Sequence, residues 1–206
     1  MRSLPDENHF NLISISNVMD IIDSSPLPDP ANTSNRDIAM RFGAIWGASS
    51  IFMSLIGFLT NTDPSMPDTG AIKWVYILVG FGISIWAVVA AITIDRKQLG
   101  GFISLGRCVT LGTLTGLIAG TLSAVYMLLY TLVINPDYRD QMEVAMQAEW
   151  EKQNMNEQQI EMAAGIASMF TSPIVLVLSQ LLGGVIFGII IGLIAGAVMK
   201  HDRPYA

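Results

Sequence analysis

Four long apolar runs separated by polar stretches dominate the chain. Roughly 20 apolar residues cross the hydrocarbon core of a bilayer, so the runs predict spanning helices. Their bounds are about residues 38–60, 72–94, 110–133 and 173–199. The last run, PIVLVLSQLLGGVIFGIIIGLIAGAVM, holds no charge and only Ser179 and Gln180 as polar side chains. The third apolar stretch extends from Ile103 to Ile134, longer than one crossing needs at about 1.5 Å per residue. Its start, FISLGRCV, reads as an interfacial foot holding Arg107 at the surface, with the crossing beginning near residue 110.

The polar insertion 135–172 carries two helical patterns. Tyr138, Met142, Ala145 and Met146 recur at helical spacing, as do Ile160, Ala163, Ala164, Ala167 and Phe170. Pro136 after Asn135 suits a first helical position, and Asn156 with Gln159 suits a capping box. Both helices are expected along the membrane surface, the second running into the last span with a bend at Pro173. Residues 1–37 form an N-terminal extension that ends in the Pro-rich linker SSPLPDPANTSN. Before the linker, Ile15, Val18, Met19 and Ile22 fit either a short amphipathic helix or a loose tail. The fold class is therefore all-α: an integral membrane bundle of four transmembrane helices in residues 38–206, plus amphipathic surface helices.

Orientation follows from the basic residues of the short loops. Arg2, Arg36, Arg41, Arg96, Lys97, Arg107, Lys200 and Arg203 fall on the side of both termini, against Lys73, Arg139 and Lys152 on the other. Both ends are expected in the cytoplasm, with the insertion and its seven acids outside. Localisation in a bacterial inner membrane, with several passes, is the corresponding expectation.

Two glycine ladders stand out within the apolar runs. Gly112, Gly116 and Gly120 repeat every fourth residue in span three, and Gly184, Gly188, Gly192 and Gly196 do so in span four. Each glycine would cost a water-exposed helix about 1 kcal/mol relative to alanine. In lipid the backbone hydrogen bonds meet no aqueous competitor, and a bare stripe lets another helix approach closely. Whether the ladders face each other or a foreign subunit stays open. Gly43 and Gly47 add a shorter pair in span one. Arg41 followed by that pair echoes Arg107 followed by Gly112 and Gly116, as a duplicated hairpin would.

Candidate chemistry is thin. The 206 residues are 51% hydrophobic and 14% charged, with a net charge of −6; an acidic chain without clustered Lys and Arg argues against nucleic acid as a partner. The single cysteine, Cys108, allows no internal disulfide and no Cys-based zinc site. His9 and His201 both lie in the tails, away from any serine or cysteine nucleophile in the membrane. Lys73, Asp95 and Arg107 are placed at span rims, so no ionisable group is expected deep in the bilayer, where one would mark a functional site. Met142, Met146, Met155, Met162 and Met169 read as adaptable packing rather than a soft-metal site. Thr110, Thr113 and Thr121 share one face of span three, while Ser123, Tyr126 and Tyr130 share another, and Ser49, Ser50 and Ser54 lie in span one. These hydroxyls either line a water path or bond to their own helix or a neighbouring one.

The stretch Gly100-Gly101-Phe102-Ile103-Ser104-Leu105-Gly106, then Gly112, the Tyr126–Tyr130 region and Asn135-Pro136-Asp137-Tyr138 resemble a family of small inner-membrane proteins of unknown function typical of Bacteroidota. The likeness covers about residues 38–200, with Leu105 standing where the family usually has Phe. It implies the four-span topology and transfers no activity, cofactor or catalytic residue. The resulting expectation is a non-catalytic membrane subunit or scaffold, docking on other membrane helices in a hetero-complex or homo-oligomer. Its docking residues are Gly43, Gly47, Gly112, Gly116, Gly120, Gly184, Gly188, Gly192 and Gly196, with no catalytic residue, metal or cofactor expected. A small permease or channel, active as an oligomer, is the alternative.

Overall fold

A computed structural model of the chain describes residues 34–62 and 70–200. The Ile15–Ile22 pattern and Arg2, Arg203, His9 and His201 lie outside the described residues. Six α-helices and no strand occur among the described residues: α1 (Arg36–Leu59), α2 (Ile72–Gln98), α3 (Leu105–Leu129), α4 (Tyr138–Lys152), α5 (Glu157–Phe170) and α6 (Pro173–Met199). A π-helical turn, Tyr130–Ile134, closes α3. Helices α1, α2, α6 and α3 with its π turn are each long and apolar enough to cross a bilayer. The expected bundle of four membrane helices is thus present, with α4 and α5 as the extra pair between α3 and α6.

Boundaries follow local chemistry. Pro173 occupies the first turn of α6, where its missing N–H costs nothing. Because Ser172 before it is extended, α5 stops at Phe170 and the chain breaks there instead of bending through. The capping box forms as expected: Asn156 accepts from the Gln159 N–H at 2.9 Å, and the Asn156 N–H donates to the Gln159 side chain at 3.0 Å. Helix α4 begins at Tyr138, two residues beyond Pro136. Helix α2 ends in a Schellman motif, with Gly100 at φ 73°, its N–H on the Lys97 carbonyl and the Gly101 N–H on that of Arg96. The expected interfacial foot does not form, for α3 is regular from Leu105 onward. Ser104 caps it by accepting from the Arg107 N–H, and the Arg107 side chain turns inward.

Helix α3 is the centre of the bundle. It packs against α6 on one face and α1 on another, while α2 touches all three. Its buried residues are small: Cys108, Gly112, Thr115, Gly116, Ala119, Gly120 and Ala124, with Leu111 the one large exception. Lipid is as apolar as leucine, so helices are held here by close van der Waals contact and buried polar pairs. Helix α2 buries Ser84, Ala87, Val88, Ala91, Ile92 and Asp95, and no residue before Ser84. Before Ser84 its contacts are made by side chains that stay partly exposed, as Tyr76 with Thr62 and Phe81 with Phe187. The bundle is therefore tight beside the α2–α3 hairpin and loose beside α4 and α5.

Candidate functional site

The two glycine ladders meet each other. A Cβ built on Gly112 would fall on the carbonyl oxygen of Gly188, and one on Gly116 on that of Gly184, with Gly184 and Gly188 equally close in return. Gly120 would be 2.9 Å from the Gln180 carbonyl and Gly192 2.9 Å from that of Cys108, while Gly196 abuts the Leu105 and Cys108 side chains. Gly43 and Gly47 lie on another face of α3, where a Cβ would come within 2.8 Å of the Thr115 carbonyl and 2.9 Å of Leu122 Cβ. All nine glycines thus serve contacts inside this chain. The echo between Arg41 and Arg107 ends at the sequence, because Arg41 is exposed and Arg107 is paired.

That pairing escapes a reading by hydropathy. Arg107 donates through Nε to Asp95 Oδ2 at 2.6 Å and through Nη2 to Oδ1 at 2.9 Å. The Asp95 side chain is 0% exposed and that of Arg107 13% exposed. A bidentate guanidinium–carboxylate pair is the strongest hydrogen-bonded form of a salt bridge, and it joins α2 to α3. Arg96 adds a bond from Nε to the Gly101 carbonyl at 2.8 Å, fixing the hairpin itself. Leu99, Ile103, Ile92 and Leu111 pack around this end, each at most 3% exposed. The loose half of the bundle therefore has a closed floor.

Above that floor lies a cavity of about 390 Å³, lined by α1, α2, α3, α4 and α6. The first half of α2 supplies Tyr76, Gly80 and Ile83; α1 supplies Ser49, Ser50 and Ser54; α3 supplies Ser123 and Tyr126. Leu176 and Gln180 of α6 complete the wall, and no charged side chain contributes to it. The cavity exists because α2 buries no residue before Ser84. Beside Gly80 the space is open, with no atom within 4 Å of a Cβ placed there.

The two hydroxyl faces of α3 part company here. Thr110, Thr113, Thr115 and Thr121 all donate to the carbonyl four residues back, at 2.7–2.9 Å. Those hydroxyls are satisfied inside their own helix and do not line this cavity. Tyr126 instead reaches across to Ser54 Oγ at 3.3 Å, and Tyr76 OH meets Thr62 Oγ1 at 3.1 Å. No described residue hydrogen-bonds the side chains of Ser49, Ser123 or Gln180. Polar groups in a lipid-embedded helix normally find a partner, so these three are groups poised toward the cavity.

At its α4 end the cavity is rimmed by stacked aromatic rings. Tyr130 sits edge-on to Phe58 at 5.7 Å and to Tyr138 at 5.3 Å, and Tyr126 lies 5.7 Å from Tyr130. Tyr130 opens the π turn, whose i→i+5 bond runs from the Asn135 N–H to the Tyr130 carbonyl at 2.8 Å. Such turns recur at functional sites because one wide turn re-aims the side chains around it. A further hollow of about 450 Å³ runs along α4 and is lined by that helix alone, so it is surface relief. The family described as protein of unknown function (DUF4199) matches residues 41–201, and no curated protein and no solved structure matches the chain.

Proposed function

The chain belongs to the DUF4199 family of proteins of unknown function, and from that premise we propose a non-catalytic membrane protein that holds a small uncharged molecule. It works as a minimal carrier, with the cavity as its binding chamber. One observation carries the reading: a chamber that sets hydroxyls and an amide among apolar side chains, without any charge, in the loose half of a bundle whose other half is closed. A charged guest would find no counter-charge there and would lose its hydration. Helices α1, α3 and α6, joined through glycine, form the fixed body. Helix α2, held by its second half and the Asp95–Arg107 pair, is the member free to swing. The α4–α5 end faces the outside of a bacterial inner membrane in this reading, and both termini face the cytoplasm.

Proteoliposomes loaded by osmotic gradient test it with neutral solutes such as glycerol. Uptake should fall several-fold on Tyr126→Phe with Ser123→Leu, and stay unchanged on Thr113→Val with Thr121→Val. Equal uptake in both variants would remove the chamber from the path.

A second reading, a subunit that docks on other membrane helices, is favoured by an apolar trough of about 420 Å³ between α2 and α6. It is lined among others by Phe81, Ile85, Phe187 and Ile190. A partner helix, from a second copy or another protein, would sit there, since the glycine stripes are already occupied. Co-purification in mild detergent should then retain the partner, and Ile190→Trp should release it.

A further inference from the structure

Resting on the chamber as a binding site, the structure also bears on the class of molecule it takes. The chamber has a mixed lining. Its hydroxyls come from α1, α2 and α3 and its amide from Gln180 of α6, with Ser49, Ser123 and Gln180 unpartnered by any described residue. Ile51, Ile83, Met127 and Leu176 stand among them. A molecule matching both characters has a short head of hydroxyl or carbonyl oxygens and a hydrocarbon remainder.

The remainder has somewhere to go. The chamber wall on α2 includes Gly80 and Ile83, and the lipid-facing trough on the same helix begins one residue away, at Phe81. The Phe81 and Phe187 rings meet edge-on at 5.1 Å and bridge α2 to α6 within the trough. That trough is wholly apolar, lined by Ile85, Val89, Ile190 and Ile194 among others. A chain leaving the chamber between α2 and α6 would pass from hydroxyl-lined space to hydrocarbon without meeting an uncompensated polar group.

We infer that the chamber takes the head of an uncharged amphiphile of the neutral-glyceride class, hydroxyl and ester carbonyl among the serines, with its acyl chain in the α2–α6 trough. A headgroup phosphate is excluded by the chargeless wall, on the same desolvation argument as any other ion. Free glycerol shares the head chemistry but would leave the trough to lipid.

The test uses the full chain in nanodiscs and a dioleoylglycerol analogue bearing a photoreactive diazirine on one acyl chain. Labelling should concentrate on peptides carrying Phe81–Ile85 and Phe187–Ile194. Unlabelled dioleoylglycerol should compete, whereas glycerol and phosphatidylglycerol should not. Gly80→Leu fills the chamber where no atom obstructs it, so labelling should drop about tenfold, equivalent to 1.4 kcal/mol of binding, with the melting temperature unchanged. Competition by glycerol would keep the chamber as a solute site and overturn the amphiphile. Competition by phosphatidylglycerol would overturn the uncharged head. Uniform labelling of all lipid-facing helices, indifferent to Gly80→Leu, would overturn both this inference and the chamber.

Discussion

Leucine at Gly116 is expected to part α3 from α6 and cost the fold about 3 kcal/mol or more. The reason is what stands opposite. The first atom of any side chain there falls on the Gly184 carbonyl, a backbone group with no rotamer to retreat into. The helices can relieve the overlap only by separating along their shared face, which undoes the contacts of Gly112 with Gly188 and Gly120 with Gln180 as well. In water a loosened helix pair is still pressed together by apolar burial, whereas in lipid the lost contacts are refilled by acyl chains. The measurement is reversible unfolding in mixed detergent–SDS micelles. Gly183→Ala supplies the contrast, being one residue from Gly184 in the same span with nothing within 4 Å of its Cβ. It should leave stability within about 0.5 kcal/mol of the parent. Similar losses in both variants would mean that glycine lowers the count of bulky residues in these helices and does not join them.

How far the sequence carries can be judged from particular residues. The span Pro173–Met199 was legible to its ends, because uninterrupted hydropathy and a proline at the first turn report the same boundary. The ladders were legible as periodicities, but a period names a face without naming its partner. Only the fold turns α3 and α6 toward each other. Hydropathy starts span three near residue 110 because a lone arginine looks like surface, and Asp95, its partner, lies 12 residues back across a glycine hairpin. The threonines of α3 and its Ser123–Tyr126 face are alike in composition, and what separates them is whether the hydroxyl reaches the carbonyl four residues back. The chamber was not legible at all. It depends on α2 burying side chains only from Ser84 onward, a property of the assembled helices.

The Asp95–Arg107 pair gives the other large effect, and its two halves should not be equivalent. Asp95 is enclosed while Arg107 keeps a small exposed fraction near the end of α3. Arg107→Ala leaves a fully enclosed carboxyl group with no partner of comparable strength, and should cost about 3–5 kcal/mol. Asp95→Ala leaves a guanidinium on a long stem, able to extend toward the interface, so its loss should be smaller, about 1–3 kcal/mol. Removing both charges together, as Asp95→Leu with Arg107→Leu, should recover most of the stability, since neither ion then has to be desolvated. Recovery of stability need not restore function. In the carrier reading the pair anchors α2 at the closed floor, and a greasy replacement holds it without fixing its angle. The double variant should therefore unfold like the parent in mixed micelles yet leak neutral solute in proteoliposomes. If the double variant is no more stable than Arg107→Ala, the pair contributes through something other than mutual neutralisation. If it is both stable and tight, α2 does not pivot at this end and the swing must be sought elsewhere.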